Sequence, residues 1–317
     1  MTDAAIQAAP AMTQQRRPRA PWQVWRDTAG RLSWLRIATL AFLFVPLAIA
    51  TYDFNFNLEA VGARPLNNVI HRAGFWTLIF LMTSLAITPL RRIARFNQLV
   101  DVRRMIGVGA AIYAACHISL YVADQMFDLR KVASEIVLRL YLTIGFTALL
   151  GLAALAITST DGMVRRMGGK RWQRLHNIIY GIGLLALIHY FQQTKADESV
   201  PTFVASLFAW MIGYRLLIKF RKTRDEPPAW MLLALSVVVS ALTFIVEAIG
   251  LSIVFHAPLG RVLQSAFDID FNDLSSLRPG WLVLGAGLTV VAVDVVRARF
   301  GKRRVVRPIA ARSPPLP

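Results

Sequence analysis

An all-α integral membrane protein, with a six-helix transmembrane bundle and two additional C-terminal transmembrane helices, is the fold that three features of the chain predict. Of its 317 residues, 56% are hydrophobic and the mean hydropathy is +0.48, above the apolar share of a soluble domain. The apolar residues gather in about eight runs, most of them near or above the roughly 18 residues that cross a hydrocarbon core of about 30 Å as a helix. Basic and acidic residues alternate between successive loops.

The runs are Trp34 to Tyr52, His71 to Leu90, Met105 to Val122, Val137 to Ile157, Leu175 to Phe191, Pro201 to Leu217, Trp230 to Phe255 and Trp281 to Val296. Lipid offers the backbone no hydrogen-bond partners, so such unbroken runs rich in Leu, Ala and Ile are expected to be helices. The 36 Lys and Arg outnumber the 18 Asp and Glu, but their placement argues against a nucleic-acid partner. Arg91, Arg92, Arg95, Arg103 and Arg104 follow the second run, Arg165, Arg166, Lys170, Arg171 and Arg174 the fourth, and Lys219, Arg221, Lys222 and Arg224 the sixth. The other loops carry Asp53, Glu59, Asp124, Asp128, Asp197, Glu198, Asp268, Asp270 and Asp273. The positive-inside rule then puts both termini and the Arg-rich loops in the cytoplasm, and an even number of spans agrees with that.

Residues 1–32 read as a cytoplasmic basic tail, without the apolar core of a cleavable signal before the first run. Residues 33–218 read as a compact six-helix core with short loops. After the charged segment "KFRKTRDEPPAW", residues 219–317 hold the extra helix pair and a basic cytoplasmic tail. The lone Cys116 excludes an internal disulfide framework.

Five histidines serve the whole chain, and ionisable groups inside a membrane are costly enough to demand a partner or a function. His117 lies 13 positions after Arg104, and His189 lies 13 after His176. Thirteen residues are about 20 Å of helix. The two spans run in the same direction, so His117 and His189 are expected at similar depth toward the outer side. An imidazole from each of two facing helices is the arrangement that axial ligation of haem iron needs. A single such histidine would read as a polar side chain bonded to a neighbouring carbonyl. No Cys-x-x-Cys-His motif is present, so any haem is b-type and noncovalent.

His176 is expected near the cytoplasmic face, as a second ligand site or as an interfacial residue. Level with it on the third span stands Arg104 rather than a histidine. His71 either lines the outer site or anchors the interface, and His256 ends the seventh span as an interfacial residue. Arg64 and Arg72 outside, and Arg171 and Arg174 inside, are candidates for haem propionates. Tyr121, Tyr180 and Tyr190 are candidates for packing near a macrocycle or for interfacial belts. Glu247 reads as a proton or quinone group, or as an inter-helix hydrogen-bonded carboxyl.

The segments "AITPLRR", "RRMIGV", "CHISLY", "YLTIGF", "AITSTDGMVRRMGGKRWQRLHNIIY" and "LIHYF", in that order and spacing, resemble the MsrQ (YedZ) family of the ferric-reductase-like transmembrane superfamily. The resemblance covers about residues 31 to 220 and implies a haem b subunit of the bacterial inner membrane. Such a subunit draws electrons from the quinone pool. It passes them to a periplasmic molybdenum-containing reductase that repairs methionine sulfoxide in envelope proteins, so no catalytic residue is expected here. The resemblance carries haem ligation, as metal ligands, onto His117, His176 and His189, with His71 a further cofactor-site residue. It implies one or two haems and adds FMN as a cofactor without an assigned site. Two departures stand out: no histidine faces His176, and the spans after residue 218 lie beyond the family core.

Other functions leave different marks. An NADPH-driven ferric reductase needs a nucleotide domain with a Gly-x-Gly-x-x-Gly turn after a strand, and the chain has none. A ferric-reductase-like haem protein with another acceptor stays an alternative. A transporter or proton pathway using intramembrane His and Glu would show duplicated broken helices, a pattern not seen here.

Overall fold

In the computed structural model, residues 23–27, 30–57, 62, 64–194, 198–221, 226–267 and 277–300 are described. Most of the N-terminal basic tail and the tail from residue 301 lie outside the described residues, as do Glu59, Asp197, Lys222, Arg224, Asp268, Asp270 and Asp273. The protein is an all-α integral membrane protein. Its helices are α1 (Trp34–Phe56), α2 (Pro65–Ile93), α3 (Val100–Asp124), α4 (Leu129–Leu138), α5 (Leu140–Ile157), α6 (Asp161–Met167), α7 (Gly169–His176), α8 (Ile179–Gln193), α9 (Ser199–Phe220), α10 (Ala229–Phe255), α11 (Leu259–Ser265) and α12 (Pro279–Phe300). Among the described residues seven helices are long and apolar enough to cross a membrane, namely α1, α2, α3 with its preceding turn, α5, α9, α10 and α12.

The fifth expected span is the one that departs. The run from Leu175 to Phe191 is not one helix, because the chain tightens at Asn177 and Ile178, where Ile178 N–H reaches the Leu175 carbonyl at 3.1 Å, three residues back. His176 therefore ends α7 while His189 sits on α8, a 15-residue helix of about 22 Å. The fourth span is also shorter than its apolar run. Arg139 takes an extended conformation and separates α5 from α4, an amphipathic helix that begins where the Asp128 carboxylate accepts the Lys131 N–H at 2.9 Å. Before α4, Met126 and Phe127 are consecutively left-handed, at φ 55° and 61°, a conformation that costs non-glycine residues about 1–2 kcal/mol each.

Helices α2, α3, α5 and α8 form a ring in which each packs on the next and α8 closes on α2. Helices α3 and α8 thus stand on a diagonal. One core of Phe80, Leu81, Ile106, Ala148, Leu152 and Ile182 fills this ring from its α3 and α5 side, and α1 covers α2 and α3. A second core joins Leu78, Met82, Leu187, Phe208 and Tyr214 to Leu232, Val239 and Val283 of the C-terminal pair. The extra helices α10 and α12 therefore share a core with the bundle, seated on α9 and α2.

Small hydroxyl residues hold that seam. The Trp210 indole N–H donates to Ser236 Oγ at 3.0 Å, Ser240 donates to the Gly280 carbonyl at 2.8 Å, and the Thr243 and Ser206 hydroxyls meet at 2.8 Å. Interhelical bonds of this kind contribute about 0.6–1.7 kcal/mol in a membrane protein. Ser236→Ala, which strands the buried Trp210 N–H, is expected to destabilise the protein by about 1 kcal/mol. A lowered thermal unfolding midpoint in detergent is the readout, and an unchanged midpoint would show that the seam rests on apolar packing alone.

Candidate functional site

His117 on α3 and His189 on α8 face each other across the diagonal of the helix ring. Their ring centres are 6.4 Å apart and their planes meet at 77°. Each ring is held by the neighbouring helix. His117 Nδ1 lies 2.8 Å from the Ile70 carbonyl on α2, and His189 Nδ1 lies 2.8 Å from the Tyr141 carbonyl on α5. A carbonyl oxygen only accepts, so both Nδ1 atoms carry hydrogen. In the neutral imidazole this leaves the Nε2 lone pair available on each ring, the tautomer that metal-binding histidines adopt.

The two anchors share one local design. A helix carbonyl at position i is normally flanked by the side chain at i+4, which leans toward the N-terminus. Four residues after Ile70 stands Gly74, and four after Tyr141 stands Gly145. A Cβ at residue 74 would lie 3.0 Å from His117 Cε1, and one at residue 145 would lie 2.8 Å from His189 Cε1 and Nδ1. Glycine is what uncovers each carbonyl and lets an imidazole reach it.

The spacing fits a shared metal ion. A metal–nitrogen bond of about 2.0–2.1 Å on each side, with about 1.1 Å from each nitrogen to its ring centre, gives about 6.3 Å. Among the described residues no group of three or more His, Cys, Asp or Glu gathers into a metal site. A metal held by this pair would need further ligands, which a macrocycle such as haem could supply.

The other expected site residues divide between the two ends of the bundle. His71 is exposed on α2, one residue after the Ile70 carbonyl that meets His117. Arg72, beside it, forms an ion pair with the buried Asp53 of α1, and Arg64 is exposed just ahead of α2. Tyr190 packs against Phe75 with ring centres 6.1 Å apart, and the Tyr121 hydroxyl donates to Glu135 at 2.7 Å.

His176 is not brought to the pair. It stacks on Trp172 with ring centres 3.7 Å apart, its Nδ1 lies 3.1 Å from the Trp172 carbonyl, and its Nε2 lies 3.3 Å from Ser159 Oγ. Its charged neighbours are Arg103 and Arg104, and Arg104 pairs with Asp161. At the same end Arg215 donates to the Tyr180 hydroxyl at 3.2 Å and to the Leu85 carbonyl at 2.6 Å. Arg171 and Arg174 are exposed on α7. His256 is left-handed at the end of α10, φ 52°, and exposed. Glu247 has Arg278, just ahead of α12, at 3.4 Å as a partner for its carboxylate. The sequence reading missed the Ile70 and Tyr141 carbonyls, the two glycines and Ser159. A glycine inside an apolar run was the visible signal for the first four, since it costs about 1 kcal/mol in a helix and needs a reason.

Comparison with known proteins agrees with this architecture. The family described as ferric reductase like transmembrane component matches residues 72–187, a stretch that contains His117 and His176 and stops short of His189. The chain is 38% identical over 201 residues to the protein-methionine-sulfoxide reductase heme-binding subunit MsrQ of Rhodospirillum rubrum, covering 63% of this chain and 93% of that one. It is 40% identical over 167 residues to the same subunit of Herminiimonas arsenicoxydans, covering 52% and 77%, and 40% identical over 189 residues to that of Xanthomonas campestris pv. campestris, covering 57% and 85%. No solved structure gives a significant match. Nearly the full length of the Rhodospirillum rubrum protein finds its counterpart in a chain whose helix ring has the histidine pair at its heart, and the chain belongs to the MsrQ family.

Proposed function

We propose that the protein is a haem b electron-transfer subunit of the bacterial inner membrane, serving a methionine sulfoxide reductase and not itself the catalytic subunit. The observation that carries this is the His117–His189 pair, with facing rings 6.4 Å apart and both Nδ1–H groups committed to helix carbonyls. The relatives' names, heme-binding subunits of a protein-methionine-sulfoxide reductase, support the cofactor and the acceptor.

When bound, haem supplies reversible one-electron chemistry at its iron. The residues of this chain supply the rest. His117 and His189 would hold the iron through their Nε2 atoms, and the Ile70 and Tyr141 carbonyls keep both imidazoles in that tautomer and would raise their basicity. With both imidazoles committed to holding the group, the site would suit electron passage better than binding of a substrate at the metal. His71 lies at the acidic end of the bundle, which the charge of the loops assigns to the periplasmic side together with the acceptor, a molybdenum-containing reductase; both termini are then cytoplasmic. The quinone pool is the proposed electron source, and FMN is a second cofactor proposed without a site. Residues 33–218 form the haem-binding core in this scheme, and residues 219–317 add the packed helix pair and tail. His176 is where a second haem would take a ligand, with Arg103 and Arg104 as its charged neighbours.

Purified protein expressed with ample haem is expected to show a low-spin b-type spectrum. His117→Ala and His189→Ala each abolish the signal of the paired site, and His176→Ala leaves it in place; pyridine haemochrome quantitation against protein gives the stoichiometry. Persistence of the spectrum in both of the first two variants would refute the pairing. Gly145→Val, which puts a branched side chain where His189 now lies, is expected to remove most of the low-spin haem, a loss that normal haem content would contradict. A reduced quinol analogue is expected to reduce the haem without added flavoprotein, and failure to do so in active membranes would move the electron source to a reduced flavin.

A further inference from the structure

Polar contacts at the acidic end tie one histidine-bearing helix to the other. Tyr121 follows His117 by one turn on α3, and its hydroxyl donates to Glu135 Oε2 at 2.7 Å. Glu135 Oε1 accepts from Arg139 Nη2 at 3.2 Å, and the Arg139 backbone N–H donates to the Glu135 carbonyl at 2.9 Å. Arg139 is the joint between α4 and α5, extended at φ −108° and ψ 109°, and its Nη1 lies 3.4 Å from the Tyr141 hydroxyl. Tyr141 then gives its carbonyl to His189 and lays its ring along the imidazole, with centres 6.4 Å apart and planes at 28°.

We propose that Glu135 is a positioning residue which, with Tyr121 and Arg139, sets where the Tyr141 carbonyl stands relative to the helix carrying His117, and so sets the spacing and ring angle of the two imidazoles. The proposal rests on the two-histidine haem assignment for its functional meaning. Three features of the segment support it. The carboxylate is four-fifths covered, its side chain 20% exposed, and a surface pair with Arg139 at i,i+4 would need no such burial. The Tyr121 bond crosses from α4 to α3, so Glu135 links two helices where a local pair links none. The chain also returns toward Tyr121 through the consecutive left-handed residues Met126 and Phe127, and strained turns persist where the surrounding structure over-determines them.

Loosening the strap leaves both ligands present but frees the carbonyl that orients one of them. In the full-length haem-loaded protein, Glu135→Ala and Tyr121→Phe are expected to keep haem per protein at the unsubstituted level while shifting and broadening the low-spin electron paramagnetic resonance signal and moving the midpoint potential. Glu135→Gln, whose amide oxygen still accepts from Tyr121, is expected to return most of the original signal. Identical spectra and potentials in Glu135→Ala, Tyr121→Phe and the unsubstituted protein overturn the proposal. Should Glu135→Ala fail to fold, Tyr121→Phe, which removes one hydroxyl, decides alone. His189→Ala separates the two levels. If it retains the low-spin signal, the haem assignment falls whatever Glu135 does; if it loses that signal while the strap variants change nothing, only the positioning proposal falls.

Discussion

An imidazole N–H inside a bilayer has no water to turn to, and the carbonyls around it already serve their own helices. The bundle meets this constraint by opening two backbone carbonyls, Ile70 and Tyr141, to a second donor. A carbonyl has two lone pairs, so it can keep its helical bond and accept from histidine as well, provided no side chain stands in the way. Gly74 and Gly145 clear that space, each at a helix-propensity cost of about 1 kcal/mol. Much of the arrangement follows. Helix α2 must lie beside α3 and α5 beside α8, which leaves the two histidine helices on a diagonal, wider apart than packed neighbours at about 8–10 Å. The gap between them is where two rings can face each other with room for a metal.

Much of this was legible in the sequence, because bilayer thickness converts residue counts into depth. The equal 13-residue offsets of His117 and His189 place both rings at one level, and the rings do meet. The breaks were not legible. Hydropathy sees Leu175 to Phe191 as one run, yet the chain tightens at Asn177 and Ile178, since an apolar residue such as Ile178 suits a helix and a tight turn alike. Amphipathic α4 was absorbed partly into a loop and partly into the fourth span, because Val137 and Leu138 look like the start of a membrane helix until Arg139 is seen to be extended. Backbone acceptors leave no residue signature at all, and only the glycine four places on hints at them.

The C-terminal pair shows how a chain extends a bundle without disturbing its centre. More than a third of this chain lies outside each match to its relatives, while α10 and α12 seat on α9 and α2. Their interface sets Ser, Thr and Gly among its apolar residues, and these small residues let backbones approach where lipid provides no hydrophobic gain for helix association. Glu247, costly in the middle of a span, has Arg278 of the neighbouring segment as a partner. A structural reason is thus in place for the one acidic residue that had suggested a proton pathway.

The two ends of the ring are chemically unlike, and under the proposed function that difference bears on how electrons enter. At the acidic end two imidazoles are anchored by carbonyls and keep their Nε2 atoms for a metal. At the Arg-rich end His176 lies against Trp172, its Nε2 meets a serine hydroxyl, and its charged neighbours are arginines. His176 lies ahead of α8 and His189 ten residues into it, which puts about 15 Å of helix and the Asn177–Ile178 turn between the two levels. An electron entering at the Arg-rich end must cover that thickness, which calls for a second redox group near His176. An electron entering beside the paired site needs none. Haem stoichiometry and the side of electron entry are therefore one question, and a single haem per chain would locate the donor at the same end of the bundle as the acceptor.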